Sequence, residues 1–160
     1  MNAIILAVAL LSAPVPLDQH PTIQAMLKEN NRLRAERGLP PHTINLTLCS
    51  VAQKYARYCA DKNGQGHFVD GRSPWKRVSD AGYEYRVVRE NWAGSFDNVH
   101  GAFRGWMSSG GHRASILSKD TSECGFGYAM RNGQPHSYVG LYAEPATYKV
   151  RHRLRHRRNR

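Results

Sequence analysis

An α+β fold, with an antiparallel sheet held between helical layers, is what this 160-residue chain predicts. Three observations carry that expectation. Apolar residues recur at helical spacing in several segments that end at Gly or Pro. Short β-rich runs are interspersed among those segments. The last two runs flank Asn132-Gly133, the strongest short-range signal for a hairpin. An element that is apolar on one face must bury that face against another layer. A hydrophobic content of 41% supplies the core, and the length fits one domain.

The chain opens with an apolar run over residues 1–13, ending in Leu11-Ser12-Ala13. It reads as a signal-peptide core followed by a small-residue cleavage site. The bland alternative is a short apolar strand or helix tucked onto the domain. The run is well short of the ~20 residues that a bilayer-spanning helix needs. Pro14, Pro16 and Pro21 mark a joint over 14–21, and the domain is expected to run from 22 to 145.

Within the domain, Ile23, Met26, Leu27 and Leu33 place a first helix at 22–37, stopped by Gly38 and Pro40-Pro41. Asn45 is a good N-cap for a helix over 46–62. There Leu48, Val51, Ala52, Tyr55, Ala56 and Cys59 make one continuous apolar face. Ser73-Pro74 opens a short helix that carries Trp75 and Val78 and ends by Gly82. Residues 83–88 read as a short strand, which Glu90-Asn91-Trp92-Ala93 then leaves. Asp97 is expected to cap a helix over 98–108, with Val99, Phe103, Trp106 and Met107 inward. Ser108-Ser109-Gly110-Gly111 breaks it, and His112 opens one more helical turn. Residues 123–131 and 135–143 form the hairpin.

Three cysteines are present. Cys49 and Cys59 lie ten apart on one predicted helix, about 15 Å along its axis, and so cannot pair with each other. A bridge would join Cys124 to one of them, and export favours one bridge. The alternative is three buried thiols packing as small hydrophobes.

The net charge of +11 is uneven, because residues 149–160 hold seven of the 23 Lys and Arg and no acid. Residues 146–160 read as a basic disordered tail that would attract anionic surfaces: nucleic acid, lipid headgroups or acidic envelope polymer. The lack of aromatic residues in 149–160 counts against a nucleic-acid binder.

Three polar residues are expected at element ends: His67, Glu90 and His112. Two histidines and a carboxylate can bind a divalent ion such as zinc and leave positions for water. Alternatively the carboxylate fixes a histidine tautomer. Ser108 and Ser109 near His112 invite a Ser–His–Glu reading, but no G-x-S-x-G elbow surrounds them and a tight turn is the better reading. His100, beside the inward positions of its helix, is a weaker contributor to a cleft, and a solvated helix histidine explains it better.

Several segments, in order, resemble the CAP superfamily (cysteine-rich secretory proteins, antigen 5, pathogenesis-related proteins). They are Ala52-Gln53-Lys54-Tyr55-Ala56, His67, Glu90-Asn91-Trp92-Ala93, the run from Trp106 through Gly110-Gly111-His112 to Leu117, and Gly125-Phe126-Gly127-Tyr128. The compact spacing resembles the short bacterial-type members. The resemblance implies a three-layer α-β-α sandwich with a surface cleft, His67 and His112 as metal-ligand candidates, Glu90 as the acid of the Glu-Asn segment and Asn91 beside it as a weaker binding residue. Departures are visible. The second cleft acid of larger members is absent between Asp97 and His112, Arg89 stands where Gly is usual, Trp92 replaces a smaller aliphatic residue, and Ser115 stands where Asn is common. Fewer anionic groups would then compensate a dication.

Three functions follow as expectations. The first, leaning away from catalysis, is a secreted module binding a ligand, lipid or cell-envelope component through the cleft. The second is a metal-assisted hydrolase in which Glu90 takes a proton from water on an ion held by His67 and His112. The third is a polyanion or nucleic-acid binder acting through residues 149–160.

Overall fold

The computed structural model describes residues 15–146, so the expected signal peptide (1–13) and the basic run 149–160 lie outside the described residues. After a short 3-10 turn at Leu17–Gln19, the elements are α1 (Pro21–Ala35), β1 (Thr43–Ile44), α2 (Leu46–Lys62), α3 (Pro74–Asp80), β2 (Tyr85–Gly94), α4 (Val99–Ser108), α5 (Gly110–Ile116), β3 (Glu123–Arg131) and β4 (Gln134–Pro145).

Helix α2 begins where Asn45 Oδ1 accepts from the backbone N–H groups of Thr47 (2.9 Å) and Leu48 (3.2 Å), which satisfies two otherwise orphan donors. All six residues of its apolar face are buried. It lies on the sheet at two glycines. A Cβ on Gly127 would stand 2.2 Å from the carbonyl carbon of Ala52, so only glycine lets the helix backbone approach this closely.

The sheet has the order β1-β3-β4-β2. β4 pairs antiparallel with both β2 and β3, and the two-residue β1 adds a short parallel rung to β3. The β3–β4 hairpin turns at Asn132 (φ 50°) and Gly133 (φ 74°), both in the left-handed region that a two-residue I′ turn requires. Helices α2 and α3 cover one face, where Tyr55, Ala56 and Val78 pack with Val139, Leu141 and Ala143. Helices α1, α4 and α5 cover the other, where Met26, Phe103, Trp106 and Ile116 pack with Phe126 and Tyr142. This is the expected α-β-α sandwich. Arg34, buried in α1, ties the second layer together by donating to the carbonyls of Pro40, Ile116 and Ser118, each at 2.8 Å. No helix among the described residues is long and apolar enough to cross a membrane.

Three local expectations are corrected. Strand β2 runs to Gly94, so Glu90-Asn91-Trp92-Ala93 lies inside the strand and Glu90 is not at an element end. Continuous pairing with β4 from Val87 to Gly94 supplies the backbone partners that hold this stretch extended. The cap of α4 is Asn98, not Asp97: Asn98 immediately precedes the helix and its Oδ1 accepts from Gly101 N–H at 2.9 Å. The bridge that export favoured is not formed. Cys49, Cys59 and Cys124 are free and buried, and burial pushes the Cys49 thiol up to about 11.

Candidate functional site at the edge of the sheet

β2 is an edge strand, and successive side chains on it point to opposite faces. Glu90 sits opposite Leu141 and faces the α2–α3 layer, while Asn91 sits opposite Gly140 and faces α5. The loop after α2 is folded back by the Tyr55 hydroxyl, which donates to the Gly66 carbonyl (2.7 Å) and accepts from Val69 N–H (3.2 Å). That fold-back carries His67 to Glu90, with Nδ1 and Oε1 2.9 Å apart. From the other layer, α5 brings His112 to the same edge. The two imidazole centroids are 6.0 Å apart, with the rings tilted by 55°.

Arg77 on α3 completes the cluster. Its guanidinium donates to both oxygens of Glu90 (3.0 and 2.8 Å), to Asp70 (2.9 Å) and to the carbonyls of Arg72 (2.7 Å) and His67 (3.2 Å). It also lies 3.5 Å over the ring of Tyr55. The Glu90 side chain is 1% exposed, whereas His67 is partly open to solvent. A carboxylate only accepts, which assigns the hydrogen to Nδ1 of His67 and leaves the Nε2 lone pair free. Burial, and next the neighbouring His67, lower the pKa of His112 and favour its neutral form.

The structure therefore brings His67, Glu90 and His112 together. Asn91 is buried, and its side chain donates to the backbone carbonyl of His112 at 2.9 Å, so it holds α5 against the strand. His100 is not with them: it is exposed on α4 and faces Glu29 of α1 at 3.4 Å. Ser108 donates to the Gly105 carbonyl at 2.8 Å, within its own helix. Two imidazole nitrogens could hold a divalent ion. Among the described residues no group of three His, Cys, Asp or Glu is arranged for a metal. Sequence reasoning missed Arg77. It sits beside Val78 on a helix of only seven residues, too short for periodicity to mark a buried face.

Residues 27–158 match the cysteine-rich secretory protein (CAP) family. An uncharacterised protein of Bacillus subtilis (strain 168) is 31% identical over 99 residues, which is 61% of this chain and 38% of that protein. A protein of Borreliella burgdorferi is 24% identical over 121 residues, 76% of this chain and 77% of that one. Among solved structures, an outer surface protein from Borrelia burgdorferi superposes with a TM-score of 0.71 at 21% identity, covering 76% of this chain and 91% of that one. An extracellular protein containing an SCP domain from Bacillus anthracis gives 0.68 at 20% identity, covering 83% of this chain and 45% of that one. The likeness to these structures is one of fold. The chain spans less than half the length of the Bacillus relatives it matches.

Proposed function

The chain belongs to the cysteine-rich secretory protein (CAP) family, and from that premise we propose that it is a secreted or envelope-located binding module. Its site at His67 and His112 receives a ligand, lipid or cell-envelope component. The observation that carries this reading is the grip of Arg77 on both oxygens of Glu90. A general base needs a lone pair within reach of the proton it takes. The buried oxygens of Glu90 already accept from Arg77 and His67, which supports a carboxylate that orients a histidine over one that serves as a general base. What remains is a pair of neighbouring imidazoles, one of them oriented by Glu90, suited to holding a ligand. The descriptions of two structural neighbours as outer surface and extracellular proteins support the location, as does the apolar N-terminal run.

The donor set fits a two-nitrogen site for a divalent ion such as zinc. His67 and His112 would hold the ion, which would offer open coordination positions to a ligand oxygen. Glu90 keeps His67 in the tautomer such a site needs. The run 149–160 would add salt-sensitive attraction to anionic envelope polymer or lipid.

Cosedimentation with purified cell-envelope fractions tests the reading. The His67→Ala/His112→Ala variant is expected to lose binding by about tenfold or more, the equivalent of at least ~1.4 kcal/mol. Undiminished binding by that variant overturns it.

A further inference from the structure

We infer that Phe68 and Trp75 form a carbohydrate-stacking subsite beside His67 that receives an uncharged pyranose ring, such as an N-acetylhexosamine unit of an envelope glycan. The inference rests on the binding-module reading above and names the chemistry of what is bound.

Phe68 and Trp75 are large aromatic residues left 60% and 55% exposed. They touch edge to face, with centroids 6.4 Å apart and planes at 80°. Two adjoining rings in water form a local apolar patch, a more specific feature than the single exposed hydrophobes that are normal on a surface. Both rings stand on fixed backbone. Phe68 lies between the two hydrogen bonds of the Tyr55 hydroxyl, and its carbonyl accepts from Gly71 at 2.9 Å. Trp75 sits in the first turn of α3 behind the Ser73 cap. Little ordering entropy is then lost on binding.

The surroundings select the ligand. Arg72 pairs with Asp70 (2.9 Å) and reaches Asp80 (3.7 Å), Lys76 pairs with Asp80, and Arg77 pairs with Asp70 and Glu90. Each of these three cations is matched by a carboxylate, and with Lys54 on the adjoining pocket the charges are close to balanced, so neither an anion nor a cation gains strong net attraction here. A polyhydroxyl ring suits the site: its C–H face packs on an aromatic plane while its hydroxyls both donate and accept among the paired charges. An acyl chain does not suit it, because the apolar surface is two rings wide and a longer chain would strip water from the charged groups around it. Asp70, Arg72 and Arg77 also wall a pocket of about 280 Å³ with Tyr55 and Tyr58, at the small end of ligand sites and sized for one further polar unit.

The test is a titration of the protein with tetra-N-acetylchitotetraose, following the Trp75 indole N–H by NMR. Saturable movement of that signal is expected. Affinity, read for wild type and variants alike by calorimetry with the same saccharide, should fall about tenfold in Phe68→Ala or Trp75→Ala and be largely kept in Trp75→Tyr, as loss of an aromatic anchor predicts. A Trp75 signal that stays still at millimolar saccharide overturns the inference. So does wild-type affinity in both alanine variants, or a Trp75 response to phosphatidylcholine vesicles but not to the saccharide. The envelope cosedimentation separates the two failures. If binding there needs His67 and His112 while the saccharide leaves Trp75 unmoved, this inference falls and the binding-module reading stands. If the saccharide moves Trp75 and cosedimentation ignores both histidines, the subsite stands and the histidine-centred reading falls.

Discussion

Arg77 holds Glu90 by both carboxylate oxygens, at 3.0 and 2.8 Å, where 4% of one side chain and 1% of the other meets solvent. Attraction inside such a pair roughly balances the loss of water from both groups, so the pair adds little over an apolar replacement of both. Removing one partner is different, because it strands a buried charge. Arg77→Leu is expected to lower the unfolding free energy by about 3–5 kcal/mol, measured by denaturant titration. Arg77→Leu/Glu90→Leu should recover much of that loss. A single-variant effect no larger than an exposed pair's, under about 1 kcal/mol, would refute the clamp.

Gly127 is fixed by α2 as firmly as Glu90 is fixed by Arg77. A methyl group there would meet backbone atoms of Ala52 and Gln53, which have no rotamer to move into. Gly127→Ala should therefore destabilise by about 1–3 kcal/mol through overpacking. Gly110→Ala is the control. It sits at the start of α5 with nothing within 4 Å of the added carbon, and helix propensity makes the change neutral or favourable by up to ~1 kcal/mol. Thermal unfolding of both variants checks the contrast, and equal shifts would contradict the packing at the α2–β3 contact.

These two sites show what was legible in the sequence. The α2 face and the hairpin were, because each depends on local signals: a six-residue apolar stripe, an Asn cap, and Asn-Gly between two strands. The extension of β2 through Glu90-Asn91-Trp92-Ala93 was not. Both faces of that stretch are covered, by Arg77 on one side and α5 on the other, and polar residues that find partners on both faces erase the alternation that marks a strand. His67 and His112 were singled out with Glu90 as polar residues at expected element ends, and the resemblance to family segments then marked the two histidines as ligand candidates. Arg77 had no such segment, and its role depends on a loop folding back from α2, which no local pattern encodes.

Zinc calorimetry addresses the histidine pair directly. One-to-one binding is expected, lost in His67→Ala/His112→Ala. Glu90→Gln should weaken it by about 10–100-fold, the usual effect of removing the group that orients a ligand histidine. Binding that survives the double substitution would place any metal elsewhere. Binding indifferent to Glu90→Gln would mean that the 2.9 Å contact to His67 Nδ1 does not orient a ligand.

Stability should fall in acid because of His42. This residue is buried between α1 and the start of β3. Asn30 Nδ2 can only donate, so His42 Nδ1 accepts from it (3.2 Å) and Nε2 carries the hydrogen to Thr121 Oγ1 (2.9 Å). A second proton on Nδ1 would face a donor. Burial chiefly, with Arg34 nearby, lowers the pKa of His42 from 6.5 to about 3. Between those values the unfolded chain binds a proton that the folded chain refuses, so unfolding gains as pH drops through that window. The stabilisation is complete above pH 6.5 and lost progressively below it, to an extent on the order of a few kcal/mol by pH 3. His112 and His136 are shifted the same way, so a variant must isolate the contribution of His42. His42→Gln keeps a donor and an acceptor but cannot titrate. Between pH 7 and 4 its melting temperature should decline less steeply than that of the wild type. Parallel declines would show that His42 is not the acid-sensitive group.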